Sequence, residues 1–71
     1  MRVLLVEDDQ RTAQTAQTFM RSSGLIVDCV ASGRRAISEC SLVPYDAVVL
    51  DLGLPDIDGV LVCRELRARL P

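Results

Sequence analysis

Histidine and lysine are both absent from this sequence of 71 residues, so all eight basic residues are arginines. Without histidine, zinc sites of the Cys/His type, histidine-based acid–base catalysis and a histidine phosphoacceptor are excluded within the chain. No apolar run approaches about 18 residues, so a membrane-spanning helix is not expected. The first residues lack the layout of a signal peptide, which predicts a cytoplasmic protein.

The net charge is small, and cysteines are few. The formal charge is −2, and the arginines are scattered among ten acids without forming a basic stripe. We therefore expect no direct nucleic-acid binding by this segment. The three cysteines, Cys29, Cys40 and Cys63, are odd in number and lack a Cys-x-x-Cys spacing, which predicts buried free thiols in a reducing compartment. With 49% hydrophobic residues, the composition indicates one small globular domain.

Two short apolar runs in the sequence end in acidic residues. The run at residues 2–6 leads into Glu7 and Asp8, and the run at residues 47–50 leads into Asp51. Apolar runs of this kind are typical of strands that are buried on both faces. A carboxylate at the end of a buried strand is costly unless a positive or hydrogen-bonding group meets it. Asp51 is therefore the expected centre of the chemistry.

Segments compatible with helices separate the apolar runs. The first helix is predicted over residues 10–23, with its N-cap at Asp9 and its end at Gly24. Its buried face is expected to contain four residues, Ala13, Ala16, Phe19 and Met20. A strand at residues 25–30 and a weaker helix at residues 34–41 follow.

A third helix predicted over residues 58–70 completes the order β-α-β-α-β-α. This alternation implies a parallel sheet with right-handed crossovers, in which all strands point their carboxyl ends to one edge. If the first strand lies between the other two, Glu7, Asp8 and Asp51 meet where the winding direction reverses, the usual ligand site of such sheets.

The converging carboxylates repel one another, and a hard divalent cation is the expected compensation because the chain has no lysine or histidine. Mg²⁺ fits best, since it binds through one or two carboxylates and completes its octahedron with water and phosphate oxygens. The pattern therefore predicts a magnesium site that accepts a phosphoryl group, with Asp51 as the nucleophile.

Three stretches carry a resemblance to a known family: residues 2–9, the turn at Gly33 and residues 45–59. Together they resemble the receiver domains of two-component response regulators. The resemblance implies a flavodoxin-like α/β sheet of strand order 2-1-3 and a phosphoacceptor that is not an enzyme, phosphorylated on Asp51 by a sensor histidine kinase. It also implies that Asp8 and Asp51 ligate Mg²⁺ directly. Glu7 would act directly or through water, and the backbone carbonyl of Gly53 would supply another ligand.

Residues 1–71 resemble only the N-terminal part of a receiver domain. The family pattern continues with two more strands and helices, which bring a Ser or Thr and a Lys that engage the phosphoryl group. We expect these elements and any output domain, such as a transcription factor, to lie outside the chain. The strand at residues 47–50 would then have an uncovered edge, which predicts self-association as a dimer through that strand.

Two other functions compete with the phosphoacceptor. A truncated or pseudo-receiver would serve as an interaction or dimerisation module without taking phosphate. A metal-dependent phosphohydrolase of the haloacid dehalogenase type also uses a strand-terminal aspartate. That enzyme requires a second carboxylate two residues later, where this chain has Gly53.

Overall fold

The computed structural model describes residues 1–51 together with residues 64, 67 and 68. Its strands and helices alternate in the order β1 (Arg2–Val6), α1 (Gln10–Ser22), β2 (Ile26–Val30), α2 (Gly33–Leu42) and β3 (Ala47–Leu50). The strands form one parallel sheet of order β2-β1-β3, which confirms the predicted 2-1-3 arrangement. Most of the third helix predicted over residues 58–70 lies outside the described residues. Of the residues in this range that the structure describes, Arg64 and Arg67 are helical.

The central strand β1 supplies the core on both faces of the sheet. Successive side chains of a strand point to opposite faces, so Leu4 and Val6 lie towards α2 and Leu5 lies towards α1. On the α2 side the buried cluster is Leu4, Val6, Val30, Ala36 and Tyr45. On the α1 side the buried cluster is Leu5, Ala13 and Val27. In the part of the chain that the structure describes, no helix is both long and apolar enough to span a bilayer.

Side-chain caps and a glycine set the limits of the helices. The Asp9 side chain accepts a hydrogen bond from the Thr12 N–H at 3.1 Å, as predicted for the N-cap of α1. Gly24 follows the helix with a φ of 89°, a left-handed conformation that side chains disfavour. The hydroxyl of Ser32 caps α2 in the same way by accepting from the Arg35 N–H at 3.2 Å.

Two apolar side chains that were predicted to be buried are exposed. Phe19 is 71% exposed because it lies about 100° around α1 from Met20, at the flank of the face that covers the sheet. Val49 in β3 is 44% exposed, so this strand is not covered on both faces by the described residues. Both side chains therefore add to the exposed apolar surface of the described residues.

Candidate metal centre

Backbone pairing between the strands places Glu7 and Asp51 side by side. Val6 at the end of β1 pairs with Leu50 of β3, so the next residue of each strand leaves the sheet at the same level. The Asp51 N–H donates to the Val6 carbonyl oxygen at 3.1 Å, and the Glu7 N–H donates to the Val30 carbonyl oxygen at 3.0 Å. The last rungs of the sheet therefore fix the backbone of both acids.

The structure brings together three of the four predicted metal ligands. Glu7, Asp8 and Asp51 each offer one carboxylate oxygen, and these oxygens all lie within 4.8 Å of one another. Glu7 and Asp51 are half-buried, whereas Asp8 is exposed. The fourth predicted ligand, the Gly53 carbonyl oxygen, lies outside the described residues. The neighbouring Asp9 is separate in role, since its carboxylate caps α1.

Mutual repulsion governs the electrostatics of this cluster. A hydrogen bond with Asp51 raises the pKa of Glu7 above its usual value, and burial and the negative charge of Asp51 add to the increase. The Asp8 N–H donates to the Glu7 Oε2 at 3.1 Å, which opposes the increase in pKa. Three oxygen donors with excess negative charge fit a hard divalent cation such as Mg²⁺.

A groove of about 570 Å³ adjoins the cluster between α1 and β2. Glu7 and Asp8 lie at its acidic end, and Gln14, Arg21 and Cys29 are also part of its lining. Cys29 and Cys40 are not joined in disulfides, and both are half-buried. Burial first, and then the charge of Glu7, raise the pKa of the Cys29 thiol, which favours its unreactive protonated form.

A second polar cluster, which the sequence did not reveal, lies near the opposite edge of the sheet. One oxygen of Asp28, Oδ2, accepts from the Tyr45 hydroxyl at 2.7 Å and from the Arg2 Nε and Nη2 at 3.1 and 2.9 Å. The bond from Tyr45, and then the bond from Arg2, hold the pKa of Asp28 below its usual value. These contacts join residues 17 and 26 positions apart, so no local sequence pattern could predict them. The cluster stabilises the sheet at a distance from the acidic site.

Two curated relatives of the chain are bacterial transcriptional regulators. The cell cycle transcriptional regulator CtrA from Caulobacter vibrioides is 43% identical over 67 residues, which cover 94% of this chain and 29% of CtrA. The transcriptional regulatory protein TcrA from Mycobacterium tuberculosis is also 43% identical, over 94% of this chain and 26% of TcrA. The chain thus spans less than a third of the length of these relatives.

Solved receiver structures have the same fold as the chain. A CheY-like receiver domain from Methylobacillus flagellatus superimposes with a TM-score of 0.92 and 41% identity, covering all of this chain and 59% of that one. A second similar structure is the receiver domain of sensor histidine kinase PA1611 from Pseudomonas aeruginosa, which was solved with a magnesium ion in its active site cleft. Its TM-score is 0.90 and its sequence identity is 37%, and the match covers 96% of this chain and 56% of that chain.

A third similar structure is the complex of histidine kinase ThkA with response regulator protein TrrA, with a TM-score of 0.89 and 28% identity. The match covers 96% of this chain and 59% of that chain. The sequence itself matches the response regulator receiver domain family over residues 3–71. The chain therefore belongs to the response regulator receiver domain family.

Proposed function

We propose that the chain is the phosphoacceptor part of a two-component receiver, in which Asp51 takes a phosphoryl group from a sensor histidine kinase. The observation that carries this proposal is the convergence of the Glu7, Asp8 and Asp51 oxygens within 4.8 Å at the carboxyl edge of the sheet. An oxygen of Asp51 forms the new O–P bond while the N–P bond of a phosphohistidine breaks, and the departing imidazole nitrogen takes up a proton. In this role the chain is a signalling module rather than an enzyme.

Each acidic residue has a distinct part in this proposal. Glu7 and Asp8 hold the metal, and Asp51 contributes both a metal ligand and the attacking oxygen. Mg²⁺, when bound, offsets negative charge on the attacking and the transferring oxygens. The bond from the Asp51 N–H to the Val6 carbonyl oxygen orients the nucleophile before the donor arrives. The Gly53 carbonyl remains a proposed further ligand by the resemblance to receivers.

The similar structures support the metal and the partner. The PA1611 receiver was solved with magnesium in its active site cleft, and TrrA was solved in complex with a histidine kinase. We place residues 1–71 at the N-terminal part of a receiver domain in the cytoplasm. CtrA and TcrA are named as transcriptional regulators, so we propose that this receiver controls transcription through an output outside this segment, which does not itself contact DNA.

Self-association through β3 is part of the same proposal. Val49 is 44% exposed, and it lines a shallow groove of about 270 Å³ together with Ala16 and Leu50. Exposed apolar surface beside a strand favours contact with another polypeptide. We propose a second copy of the chain as the partner, and sedimentation velocity over a range of concentrations would test it. A monomer at every concentration would exclude this dimer.

Incubation with Mg²⁺ and acetyl phosphate, followed by intact-mass measurement, tests the phosphoacceptor directly. We expect one added phosphoryl group on the wild type, its loss in Asp51→Asn, and a reduced yield in Asp8→Asn. Asp9→Asn is the matched control because Asp9 is adjacent and asparagine also caps helices, so its yield should equal that of the wild type. Absence of any adduct would favour a module that never takes phosphate, and continuous release of phosphate would indicate a phosphohydrolase.

A further inference from the structure

The outer edge of β2 has backbone hydrogen-bonding groups that point away from β1, which is the geometry that a further strand needs for pairing. β2 borders the described sheet, because the strand order is β2-β1-β3. The Ile26 N–H donates to the Met1 carbonyl oxygen at 3.1 Å, and the Val30 carbonyl oxygen accepts from the Glu7 N–H at 3.0 Å. In a parallel ladder alternate residues face the same neighbour, so Val27 and Cys29 direct their backbone groups away from β1. Such outward groups are a template for pairing with another chain.

Arg21 occupies this edge. Its Nη2 donates a partly buried hydrogen bond of 2.9 Å to the Val27 carbonyl oxygen, one of the outward acceptors. The arginine lies in the last turn of α1, and α1 packs on β2 through the cluster that contains Val27 and Ala13. A guanidinium is always charged, so a strand that paired here would have to displace a charge-assisted hydrogen bond.

The size of the neighbouring side chains does not by itself block the outer edge of β2. Arg21 and Cys29 both line the groove of about 570 Å³ between α1 and β2, which leaves space beside the strand. The charge of Arg21 also reaches the strand, because it lowers the pKa of Asp28 and opposes the increase in the pKa of Cys29. Arg21 therefore both fills an acceptor of this edge and adds a positive charge to it.

We propose that Arg21 prevents the β2 edge from pairing with the β2 edge of a second copy of this chain. A two-fold axis would bring the outward groups of Val27 and Cys29 in one copy against the same groups in the other, as a self-complementary interface requires. The strand sequence Ile-Val-Asp-Cys-Val is rich in β-branched residues, which favour strand pairing. A second copy would also bring a second Arg21 to the interface, so charge repulsion adds to the loss of the hydrogen bond.

Arg21→Met tests the proposal, because methionine keeps a long apolar stem and removes the charged donor. Arg11→Met is the matched control, with the same change of charge and hydrophobicity at an exposed position of the same helix. In sedimentation velocity we expect the dissociation constant of Arg21→Met dimers to be at least about tenfold lower than that of Arg11→Met, the size of one hydrogen bond to a charged group. Amide hydrogen exchange should show new protection at Val27 and Cys29 as the dimer forms.

Two results would overturn the proposal. Equal association of Arg21→Met and Arg11→Met would show that the guanidinium does not control pairing. Association without new protection at Val27 and Cys29 would place the contact elsewhere, for example at β3. If Arg21→Met does not fold, by circular dichroism, then Arg21→Gln decides in the same assays because glutamine is neutral and polar.

Discussion

Removal of the Tyr45 hydroxyl is expected to destabilise the fold at neutral pH and to have less effect in acid. Tyr45 is 2% exposed, and its hydroxyl donates to the Asp28 Oδ2 at 2.7 Å. Tyr45→Phe keeps the buried ring within the cluster of Leu4, Val6, Val30 and Ala36, so the apolar burial is unchanged. The substitution therefore isolates one hydrogen bond to a carboxylate.

The expected loss of stability depends on the hydrogen bonds that Asp28 keeps in the Tyr45→Phe variant. A hydrogen bond to a charged group contributes about 1.5–3 kcal/mol to stability. Asp28 keeps its bonds from Arg2 at 3.1 and 2.9 Å, and its side chain is 37% exposed, so water replaces part of the loss. We therefore expect a loss of about 1.5 kcal/mol at pH 7. For 71 residues at about 2.1 cal/mol/K each, this corresponds to a decrease in Tm of about 10 °C.

The dependence on pH provides a second check. The pKa of Asp28 is lowered from 3.8 on folding, first by Tyr45 and then by Arg2. A lowered carboxylate pKa contributes stability above the unfolded value, and this contribution is lost as the pH falls through the folded value. The penalty of Tyr45→Phe should therefore be largest above about pH 4 and shrink at lower pH.

Urea unfolding followed by far-UV circular dichroism at pH 7 and pH 3 measures both quantities. Ser22→Ala is the control, since it removes an exposed hydroxyl that donates to the Phe19 carbonyl oxygen at 2.6 Å and should change stability by less than about 0.5 kcal/mol. A Tyr45→Phe variant as stable as Ser22→Ala at pH 7, or one with a larger penalty in acid, would show that the hydrogen bond from Tyr45 to the charged Asp28 does not stabilise the fold.

Three further predictions concern single groups. Burial, and then the bond to Asp28, raise the pKa of Tyr45 above its usual value of 10. Absorbance at 295 nm should therefore show no phenolate in the folded protein at pH 10, and the free energy of unfolding should decrease as the pH rises above 10. Asp9→Ala should cost about 1 kcal/mol in urea unfolding, because the Thr12 N–H loses its acceptor. Asp51→Asn without magnesium should increase the free energy of unfolding by about 1 kcal/mol at pH 7, since two like charges within 4.8 Å of each other in water repel by about that amount. The gain should vanish in acid, because Glu7, whose pKa is raised, takes up a proton and the repulsion is lost.

The element order and the sheet could be predicted from the sequence because their signals are local. The apolar run at Arg2–Val6, the cap at Asp9 and the glycine at position 24 each lie within a few residues of the structure they determine. The neighbourhood of Glu7 and Asp51 follows from the same alternation, since parallel strands end at one edge. The convergence of the acidic side chains thus required only the strand order in addition to the local pattern.

Other features depend on contacts that periodicity does not contain. The helical spacing of Phe19 fits a buried face, but its side chain is 71% exposed among the described residues. In the sequence Tyr45 lies between a proline and β3 with no sign of a role, yet it is buried and bonded to Asp28 of β2. The bond from Arg21 to the Val27 carbonyl oxygen likewise depends on how the end of α1 lies over β2. Tertiary packing decides all three.

An error in the register of β1 would affect the core and the acidic site at the same time. Val6 pairs with Leu50 and Val30, and these rungs hold both the core and the backbone of Glu7 and Asp51. A slip of one residue would turn the buried side chains of β1 to the wrong faces and separate the two acids by about 3.3 Å along the strand. A mispaired chain therefore loses its core and its acidic site together. Under the proposed function, a mispaired chain would not take a phosphoryl group, so any phosphorylated population would contain only correctly paired chains.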